Sequence, residues 1–386
     1  MIDYPLTDEQ KIIKDLARKI AEEKIRSISK EFDEKEEFPY EIMKILAASD
    51  LFAICIPQEY GGMGGGLLDL CIATEEISRV DGGIAASYAA NFLAMFPILL
   101  YGSEEQKKKY LSDISSGKRL AAFAITEPES GSDVTNLKTV ARKDGDFFIL
   151  NGTKHFITNG GEAQIYAVIA TTNPKKGTRG QTAFIVEKGM KGFSFGKKES
   201  KLGIRASSTG ELIFNDCKVP KENIVGREGM GFIITMKTFD QSRPGVAAQA
   251  VGIAQGALEL AVEYVHKRIQ FGRLISSFQG VQWMLADMAT KVEAARSLVY
   301  SVASMVDRGF KDVAGASAAA KLFASDVAME VTTDAVQLFG GYGYMRDYPV
   351  EKFMRDAKIT QIYEGTNQIQ KNIIALNLIK KYTKSS

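Results

Sequence analysis

The chain has 386 residues, enough to bury a substantial core in about two to three structural units. Its 49 Lys and Arg residues against 47 Asp and Glu residues give a formal net charge of +2, so neither nucleic acid nor an anionic membrane is an expected partner. Only two histidines are present, His155 and His266, which disfavours histidine-based zinc sites and Ser-His-Asp chemistry. We therefore expect no metal centre.

The amino-terminal stretch MIDYPLTDEQKIIKDLARKIAEEKIRS carries charges every few positions and no continuous apolar run. This pattern does not fit an ordinary signal peptide or a membrane span, so we expect a cytoplasmic protein with no membrane association. The three cysteines, Cys55, Cys71 and Cys217, lack any metal-ligand or redox spacing. They are interpreted as reduced thiols, mostly in the core.

Three regions follow in chain order, and together they predict an α+β multidomain fold. Residues 1–120 repeat apolar positions three and four apart, with a capping box at Thr7 and Gln10, and predict an N-terminal helical domain. Residues 121–231 predict a central antiparallel β-domain, with short apolar runs such as AAFAI, DFFILNG, KHFITNG and TAFIVEKG between turn residues. Residues 232–386 predict a C-terminal helical bundle that includes the well-buried segment VAAQAVGIAQGALELAVEYVHKRI.

The only low-complexity stretch is YGGMGGG at residues 60–66. It does not satisfy the G-x-G-x-x-G pattern, and no strand-to-helix context frames it. A flexible turn is the favoured interpretation, ahead of a phosphate cradle.

The stretch QIYEGTNQIQ at residues 361–370 interrupts an otherwise helical region. Apolar positions at helical spacing are Val350, Phe353, Met354 and Ala357 before it and Ile369, Ile373 and Leu376 after it. Gly365 can adopt backbone angles that end a helix, and Thr366 or Asn367 can cap the next one. The carboxylate of Glu364 is thus expected at a helix junction, where on the residues alone a solvated turn glutamate is the favoured interpretation.

Two long stretches resemble the signature regions of the flavin-dependent acyl-CoA dehydrogenases, of the short- or medium-chain kind. They are AFAITEPESGSDV at 122–134 and QLFGGYGYMRDYPVEKFMRDAKITQIYEGTNQIQ at 337–370, and the likeness extends to nearly the full chain. The resemblance implies FAD as cofactor, conversion of an acyl-CoA thioester to the trans-2-enoyl-CoA, and a place in fatty acid β-oxidation. It also implies electron-transfer flavoprotein as electron acceptor and a homotetramer built as a dimer of dimers.

By the same resemblance Glu364 matches the family's catalytic base, which abstracts the α-proton while flavin N5 accepts the β-hydride. An α-proton of a thioester is weakly acidic, so its removal needs a base held out of bulk water and hydrogen bonds to the carbonyl oxygen. In the family these come from the base residue's own N–H and a ribityl hydroxyl of the flavin. Isovaleryl-CoA relatives carry their base at the position that is Ser242 here, and a serine hydroxyl cannot replace a carboxylate.

Cofactor contacts also follow from the resemblance. Those along the flavin fall on Phe123, Ala124, Ile125, Thr126, Gly131, Ser132, Phe156, Ile157 and Thr158. Those to the FAD of a neighbouring subunit fall on Arg268, Phe271 and Gln279, and those to its adenosine half on Gln337, Gly340, Gly341, Thr366 and Gln368. Thr158 is expected at N5, Thr126 at the pyrimidine edge, and Ser132 and Arg268 near the pyrophosphate. Without the family, Thr158 is interpreted as an ordinary strand threonine, whereas for Arg268 a solvated helix arginine is an equal candidate.

Substrate contacts are implied for Ser132, Asp240, Arg243 and Gly365, although Asp240 and Arg243 also fit a simple helix surface pair. Glutaryl-CoA relatives hold the distal carboxylate with an arginine in the helix corresponding to DGGIAASYAANFLAMFPI. Here no cation occurs between Arg79 and Lys107, so a free terminal carboxylate is disfavoured. The small residues Ala85, Ala86, Ser87, Ala89 and Ala90 leave room near the pocket. A short straight acyl chain is the first expectation, with branched or cyclic groups next.

Three alternatives stay open at this point. The same scaffold can run in reverse as an enoyl-CoA reductase with an electron-transferring flavoprotein partner. It can also act as an oxidase that delivers electrons to oxygen, although the chain is shorter than the long two-part oxidases. A non-catalytic scaffold of the same fold is the third, and intact Glu364, Thr158 and Arg268 argue against it.

Overall fold

The computed structural model describes residues 2–383, and its first part is helical as predicted. The helices are α1 (Asp8–Ile20, continued by a π-helical turn, Ala21–Ile25), α2 (Ser29–Lys35), α3 (Tyr40–Ala48), α4 (Leu67–Ser78), α5 (Gly82–Tyr101) and α6 (Glu104–Ser115). Helix α1 begins at the predicted capping box, where the Thr7 hydroxyl accepts a hydrogen bond from the Gln10 backbone N–H at 3.2 Å.

The glycine-rich stretch at 60–66 forms a turn, and close packing rather than flexibility accounts for its glycines. A Cβ atom on Gly62 would lie 1.9 Å from the carbonyl oxygen of Ile56. A Cβ on Gly66 would lie 2.5 Å from the carboxylate of Asp307, which accepts hydrogen bonds from the Leu67 N–H at 2.6 Å and the Leu68 N–H at 3.0 Å. A distant carboxylate thus caps α4, and any side chain at Gly66 would displace it.

The central region is one mixed sheet. Its strands are β1 (Ala121–Ala124), β2 (Val140–Asp144), β3 (Phe147–Thr158), β4 (Ile165–Thr171), β5 (Gln181–Glu187), β6 (Phe193–Lys198), β7 (Thr209–Pro220) and β8 (Ile224–Val225). The strand order is β6-β7-β3-β2-β4-β5-β8, with β1 also paired to β4. The prediction of an antiparallel domain was wrong for two pairs, because β1 and β2 run parallel to β4. Both reach β4 through crossover connections rather than hairpins, and apolar alternation fixes a strand's faces but not its direction.

Strand β3 joins two runs, DFFILNG and KHFITNG, that the sequence presented as separate strands. It pairs with β7 from Phe147 opposite Pro220 to Thr158 opposite Thr209, with two register shifts on the way. Gly152 lies at the first shift, where its φ of 144° and the close approach of Thr139 exclude a side chain. The second shift precedes Ile157, so the end of β3 is re-aimed just where the predicted flavin contacts lie.

The C-terminal region is a helical bundle with a two-stranded ribbon. Its elements are α7 (Gly231–Lys267), β9 (Ile269–Gln270), β10 (Arg273–Leu274), α8 (Gln279–Asp307), α9 (Ala314–Phe339), α10 (Val350–Thr360) and α11 (Asn367–Thr383). Helix α7 continues through Pro244, whose missing N–H leaves the carbonyl of Asp240 without its helical donor. The Ser317 hydroxyl on α9 donates to that carbonyl at 2.9 Å, which lets the helix pass the proline.

Helices α5 and α7 are long and apolar enough to cross a membrane by length and composition, but 78% of each apolar window is buried inside the protein. Helix α7 packs against α4, α5 and α9, so its apolar surface serves the core. All three cysteines are free, with Cys71 and Cys217 buried and Cys55 half-buried. Their reduced state and core placement agree with the sequence-based prediction.

Candidate active site

The predicted helix break is present between α10, which ends at Thr360, and α11, which begins at Asn367. The Thr366 hydroxyl accepts a hydrogen bond from the Ile369 N–H at 3.4 Å, so Thr366 caps α11. Of the predicted apolar faces, Met354 and Leu376 are exposed rather than packed. The helical period predicted which face each residue belongs to, but not that Met354 and Leu376 lie at the solvent-exposed edge of that face.

The backbone of the helix break is strained at Glu364. Glu364 has a φ of +52° and Gly365 a φ of +92°, two consecutive left-handed residues. A side chain in this conformation costs about 1 kcal/mol or more, and such residues cluster at functional sites. The turn therefore holds Glu364 in an orientation that a continuous helix would not permit.

Glu364 faces a cavity of about 310 Å³ between α5, β1, the end of β3, α7 and the 361–366 turn. Among the predicted site residues, those that line it are Phe123, Ile125, Thr126, Gly131, Ser132, Phe156, Ile157, Thr158, Arg243, Glu364 and Gly365. Most other lining residues are apolar, including Ala86, Ala89, Leu93, Phe239 and Val246. Glu364 and Arg243 are the only charged lining residues in the described part of the chain.

The Glu364 carboxyl group is held by a neighbour on α7. The Ser242 hydroxyl donates a short hydrogen bond to Glu364 Oε2, and the Arg243 Nε lies 3.4 Å from the Glu364 carbonyl oxygen. Burial raises the pKa of Glu364, while the Ser242 hydrogen bond and the charges of Arg243 and Lys321 oppose that rise. The result is a carboxyl group whose proton affinity lies above that of an exposed glutamate.

Arg243 and Asp240 do not act as a pair on the cavity. The Arg243 side chain is buried, with its guanidinium 5.4 Å from the Phe239 ring centroid, and burial lowers its pKa. The Asp240 carboxylate points to Lys237 at 3.2 Å and does not line the cavity. Asp240 therefore does not line this cavity, and its contact with the CoA portion of the substrate stays a prediction.

Beneath the turn lies a buried lysine that the sequence analysis missed. Lys321 Nζ on α9 donates to the Gly365 carbonyl at 2.8 Å and to Asn367 Oδ1 at 3.0 Å. Gln370 Nε2 also donates to the Gly365 carbonyl, at 2.8 Å. The local pattern of α9 carries no signal for this contact, since the two segments are more than forty residues apart.

The opposite wall of the cavity, formed by the segment after β1 and the end of β3, carries three hydroxyl groups. Thr126, Ser132 and Thr158 line the cavity, and none of their hydroxyls has a hydrogen-bond partner among residues 2–383. Phe156 is 60% exposed and holds a left-handed φ of +58°, which leaves an aromatic face uncovered. Free hydroxyls beside apolar and aromatic surface fit a planar heteroaromatic ring with a polar edge. Ala124 is buried within β1 and does not line the cavity.

A buried ion pair between Lys154 and Glu127 stabilises this wall of the cavity, and the sequence did not predict it. Lys154 Nζ on β3 donates to Glu127 Oε1 at 2.7 Å and to the Ile125 carbonyl at 2.9 Å. Glu127 Oε1 also accepts from the Thr139 N–H at 3.0 Å. Burial lowers the pKa of Lys154 to about 8, against the opposing pull of Glu127. The pair joins the segment after β1 to β3 and so fixes the residues that line the cavity.

A second cleft, of about 480 Å³, brings together Arg268, Gln337, Gly340 and Gly341. The Arg268 guanidinium lies 5.4 Å from the Tyr342 ring centroid. Phe271, which is 93% exposed, and Gln279 line neither cavity, and neither do Thr366 and Gln368. The predicted cofactor contacts thus divide between two sites, and five of them, these four and the buried Ala124, line neither.

One group in the described chain has the spacing of metal ligands. Atoms of His155, Glu199 and Glu211 lie within 4.8 Å of one another. The His155 ring already pairs with Glu211 at 2.9 Å, and Lys197 pairs with Glu199 at 3.1 Å. We assign no metal to this group, because both carboxylates have partners within the protein.

Comparison with known proteins matches three acyl-CoA dehydrogenase family models, for the N-terminal domain (residues 7–118), the middle domain (122–217) and the C-terminal domain (229–379). The chain is 50% identical to the short-chain specific acyl-CoA dehydrogenase of Clostridium acetobutylicum, over 97% of this chain and 99% of that one. It is 49% identical to the acryloyl-CoA reductase (NADH) of Anaerotignum propionicum, over 98% and 97%.

Solved structures agree. The butyryl-CoA dehydrogenase of Megasphaera elsdenii superposes with a TM-score of 0.96 at 47% identity, covering 98% of this chain and 100% of that one. A chain from work on the electron transferring flavoprotein of Acidaminococcus fermentans also has a TM-score of 0.96, at 52% identity and the same coverage. The protein therefore belongs to the acyl-CoA dehydrogenase family, as a flavoprotein oxidoreductase that acts on acyl-CoA.

Proposed function

We propose that the protein dehydrogenates a short straight-chain acyl-CoA to the trans-2-enoyl-CoA, with Glu364 removing the α-proton. The observation that carries this is that the described residues place one carboxyl group on the cavity, held by a strained turn, together with three unpaired hydroxyls. FAD, when bound there, supplies the acceptor for the β-hydride.

The turn offers two groups to the thioester. Burial raises the pKa of Glu364 toward working pH, which makes its carboxylate a stronger base toward a weakly acidic α-proton. The Glu364 backbone N–H has no hydrogen-bond partner among residues 2–383 and is available to the thioester carbonyl oxygen. A donor at that oxygen stabilises the charge that develops as the proton leaves. Glu364 thus supplies a base for the α-carbon and a hydrogen-bond donor for the carbonyl oxygen.

Residues of the opposite wall would hold FAD, with the Thr126 and Thr158 hydroxyls at the flavin ring and Ser132 near the pyrophosphate. Arg268 in the second cleft would meet the pyrophosphate of a neighbouring subunit's FAD, with Phe271 and Gln279 beside it. Exposed aromatic side chains support this assembly, since Phe271 is 93% and Trp283 62% exposed in the single chain. We infer a homotetramer, a dimer of dimers, in the cytoplasm and in fatty acid β-oxidation.

A short acyl group fits the cavity's size and lining. Ala86, Ala89 and Ala90 of α5 line it, while Ala85 and Ser87 are buried on the other side of that helix. The Tyr363 hydroxyl bonds Gln249, whose amide donates to the Gly82 carbonyl at 2.8 Å, so both side chains are held in place at the wall. Arg243 is the only lysine or arginine that lines the cavity in the described chain, and its Nε already lies 3.4 Å from the Glu364 carbonyl oxygen, so a distal carboxylate has no cation of its own. Two relatives named short-chain specific support the same class.

Reduction of an enoyl-CoA is the second candidate. It is favoured by the 49% identity to an acryloyl-CoA reductase, and the same Glu364 would then return a proton to the α-carbon. In either direction we propose electron-transfer flavoprotein as redox partner, on the likeness to the Acidaminococcus chain.

The test is the flavin spectrum of the purified protein, recorded anaerobically with acyl-CoAs of different shape. We expect a yellow protein whose flavin band bleaches with butyryl-CoA, more slowly with branched or cyclic acyl-CoAs, and not with glutaryl-CoA. Electron-transfer flavoprotein should then reoxidise it, whereas rapid reoxidation by oxygen would indicate an oxidase. Absence of flavin would favour the scaffold alternative, and a flavin reduced by none of these thioesters would favour the enoyl-CoA reductase.

A further inference from the structure

Lys321 is the most unusual buried charge next to the site. Its side chain is fully buried on α9, yet both hydrogen-bond acceptors that residues 2–383 offer its ammonium are neutral oxygens, of Gly365 and Asn367. The buried lysines Lys154 and Lys352 instead contact carboxylate oxygens, at 2.7 and 2.6 Å. A buried ammonium without a direct carboxylate partner is costly, so a methionine of similar length would pack at lower cost.

The charges around Lys321 come from three elements. Arg243 on α7 repels it, while Asp326 on its own helix and Glu364 on the turn attract it. Glu364 is the largest of these influences after burial itself. Burial lowers the pKa of Lys321 to about 7, so its charge is present below neutral pH. Burial shifts the pKa of Glu364 in the opposite direction, upward, so the two groups titrate closer together than an exposed lysine and glutamate would.

We propose that Lys321 is a positioning residue for Glu364. Its ammonium fixes the 361–366 turn through the Gly365 carbonyl and the Asn367 side chain, and its charge stabilises the deprotonated Glu364 carboxylate. This inference rests on the proposed role of Glu364 as base. It explains why a cation, rather than an apolar side chain, lies under the turn.

Removal of the Lys321 charge should move the pH profile of turnover in one direction. In Lys321→Met the Glu364 carboxylate loses an attractive partner but keeps Arg243 and the Ser242 hydrogen bond. The acidic midpoint of the kcat/KM profile should move to higher pH, by about one pH unit. In Lys321→Arg, which keeps a charge, the midpoint should stay close to the wild-type value. A purely structural role predicts lower activity at every pH with no movement of the midpoint.

The experiment follows the Glu364 carboxyl group directly as well as through turnover. Infrared difference titration of the holoenzyme reports the protonated carboxyl band, which Glu364→Gln assigns by its loss. Lys201→Met is the matched control, because Lys201 is a partly buried lysine bonded to the Ser207 carbonyl, and its pKa is lowered to about 8. Circular dichroism and the flavin spectrum verify that each variant is folded.

The proposal is supported if the infrared midpoint of Glu364 rises in Lys321→Met but not in Lys321→Arg or Lys201→Met. It is overturned if the midpoint is unchanged in Lys321→Met, or if Lys201→Met moves it equally. Full turnover in Glu364→Gln would refute the base assignment instead, and the infrared result would still decide whether Lys321 governs the protonation of Glu364. If Lys321→Met does not fold, the Lys321→Arg midpoint carries the test, and a large movement there overturns the role of charge.

Discussion

Replacement of Ser242 by alanine isolates one hydrogen bond on the carboxyl group of Glu364. The Ser242 hydroxyl donates directly to Glu364 Oε2 from α7. The substitution removes one oxygen atom and leaves Arg243 and Lys321 in place. Because a hydroxyl donor stabilises the carboxylate and not the neutral acid, its loss should raise the pKa of Glu364 further.

The size of the effect follows from the kind of bond. A hydrogen bond to a charged acceptor contributes about 1.5–3 kcal/mol. The Glu364 side chain is only partly buried, so the lower end applies. About 1.5 kcal/mol corresponds to about one pH unit, and so to about a tenfold lower kcat/KM below both midpoints. Well above both midpoints the two enzymes should be equal.

The assay is the pH profile of kcat/KM with butyryl-CoA for wild type and Ser242→Ala. Ser78→Ala is the matched control, because the buried Ser78 hydroxyl donates to the Thr74 carbonyl at 2.6 Å on α4, away from the cavity. Its profile should keep the wild-type midpoint. An unchanged midpoint in Ser242→Ala, or one displaced to lower pH, would refute the reasoning.

Three further outcomes are expected. Lys154→Met leaves the Glu127 carboxylate buried without its cation, so we expect the free energy of unfolding to fall by about 3–5 kcal/mol and the flavin to be lost on gel filtration. A variant that keeps both its stability and its flavin would contradict the role of the ion pair. Gly365→Ala puts a Cβ 2.7 Å from Gln370 Nε2 at a φ of +92°, so butyryl-CoA turnover should fall at least tenfold while the melting temperature changes little. Gly145→Ala is the control: Gly145 also has a positive φ but open space around it, and this variant should keep full turnover. Glutaryl-CoA should reduce the flavin at least a hundredfold more slowly than butyryl-CoA in stopped flow, and comparable rates would show that a cation reaches the distal carboxylate.

The order of the three regions was predictable because the hydrophobic period changes from helical to alternating and back along the chain. The break at Glu364 was also predictable, since Gly365 and Thr366 carry local signals for a helix end and a helix start. The directions of β1 and β2 were not, because a parallel pairing is decided by crossover connections rather than by the strand's own residues.

The contacts that tune the site were hidden for a related reason. Ser242 and Glu364 are 122 positions apart, and Lys321 and Gly365 are 44 apart. Each residue looks ordinary within its own helix, and only the packing of α7 and α9 against the turn brings them together. Lys154 likewise reads as a solvent-facing strand lysine until Glu127 is found beside it.

The most direct test of the account is the rate of flavin reduction by butyryl-CoA in Glu364→Gln, measured by anaerobic stopped flow. Glutamine keeps the size of the side chain but cannot accept the α-proton, so the rate should fall by about 10²–10⁴-fold while FAD content and acyl-CoA binding persist. Glu41→Gln, an exposed glutamate on α3, should retain the wild-type rate. A near-wild-type rate in Glu364→Gln would contradict the assignment of Glu364 as the base.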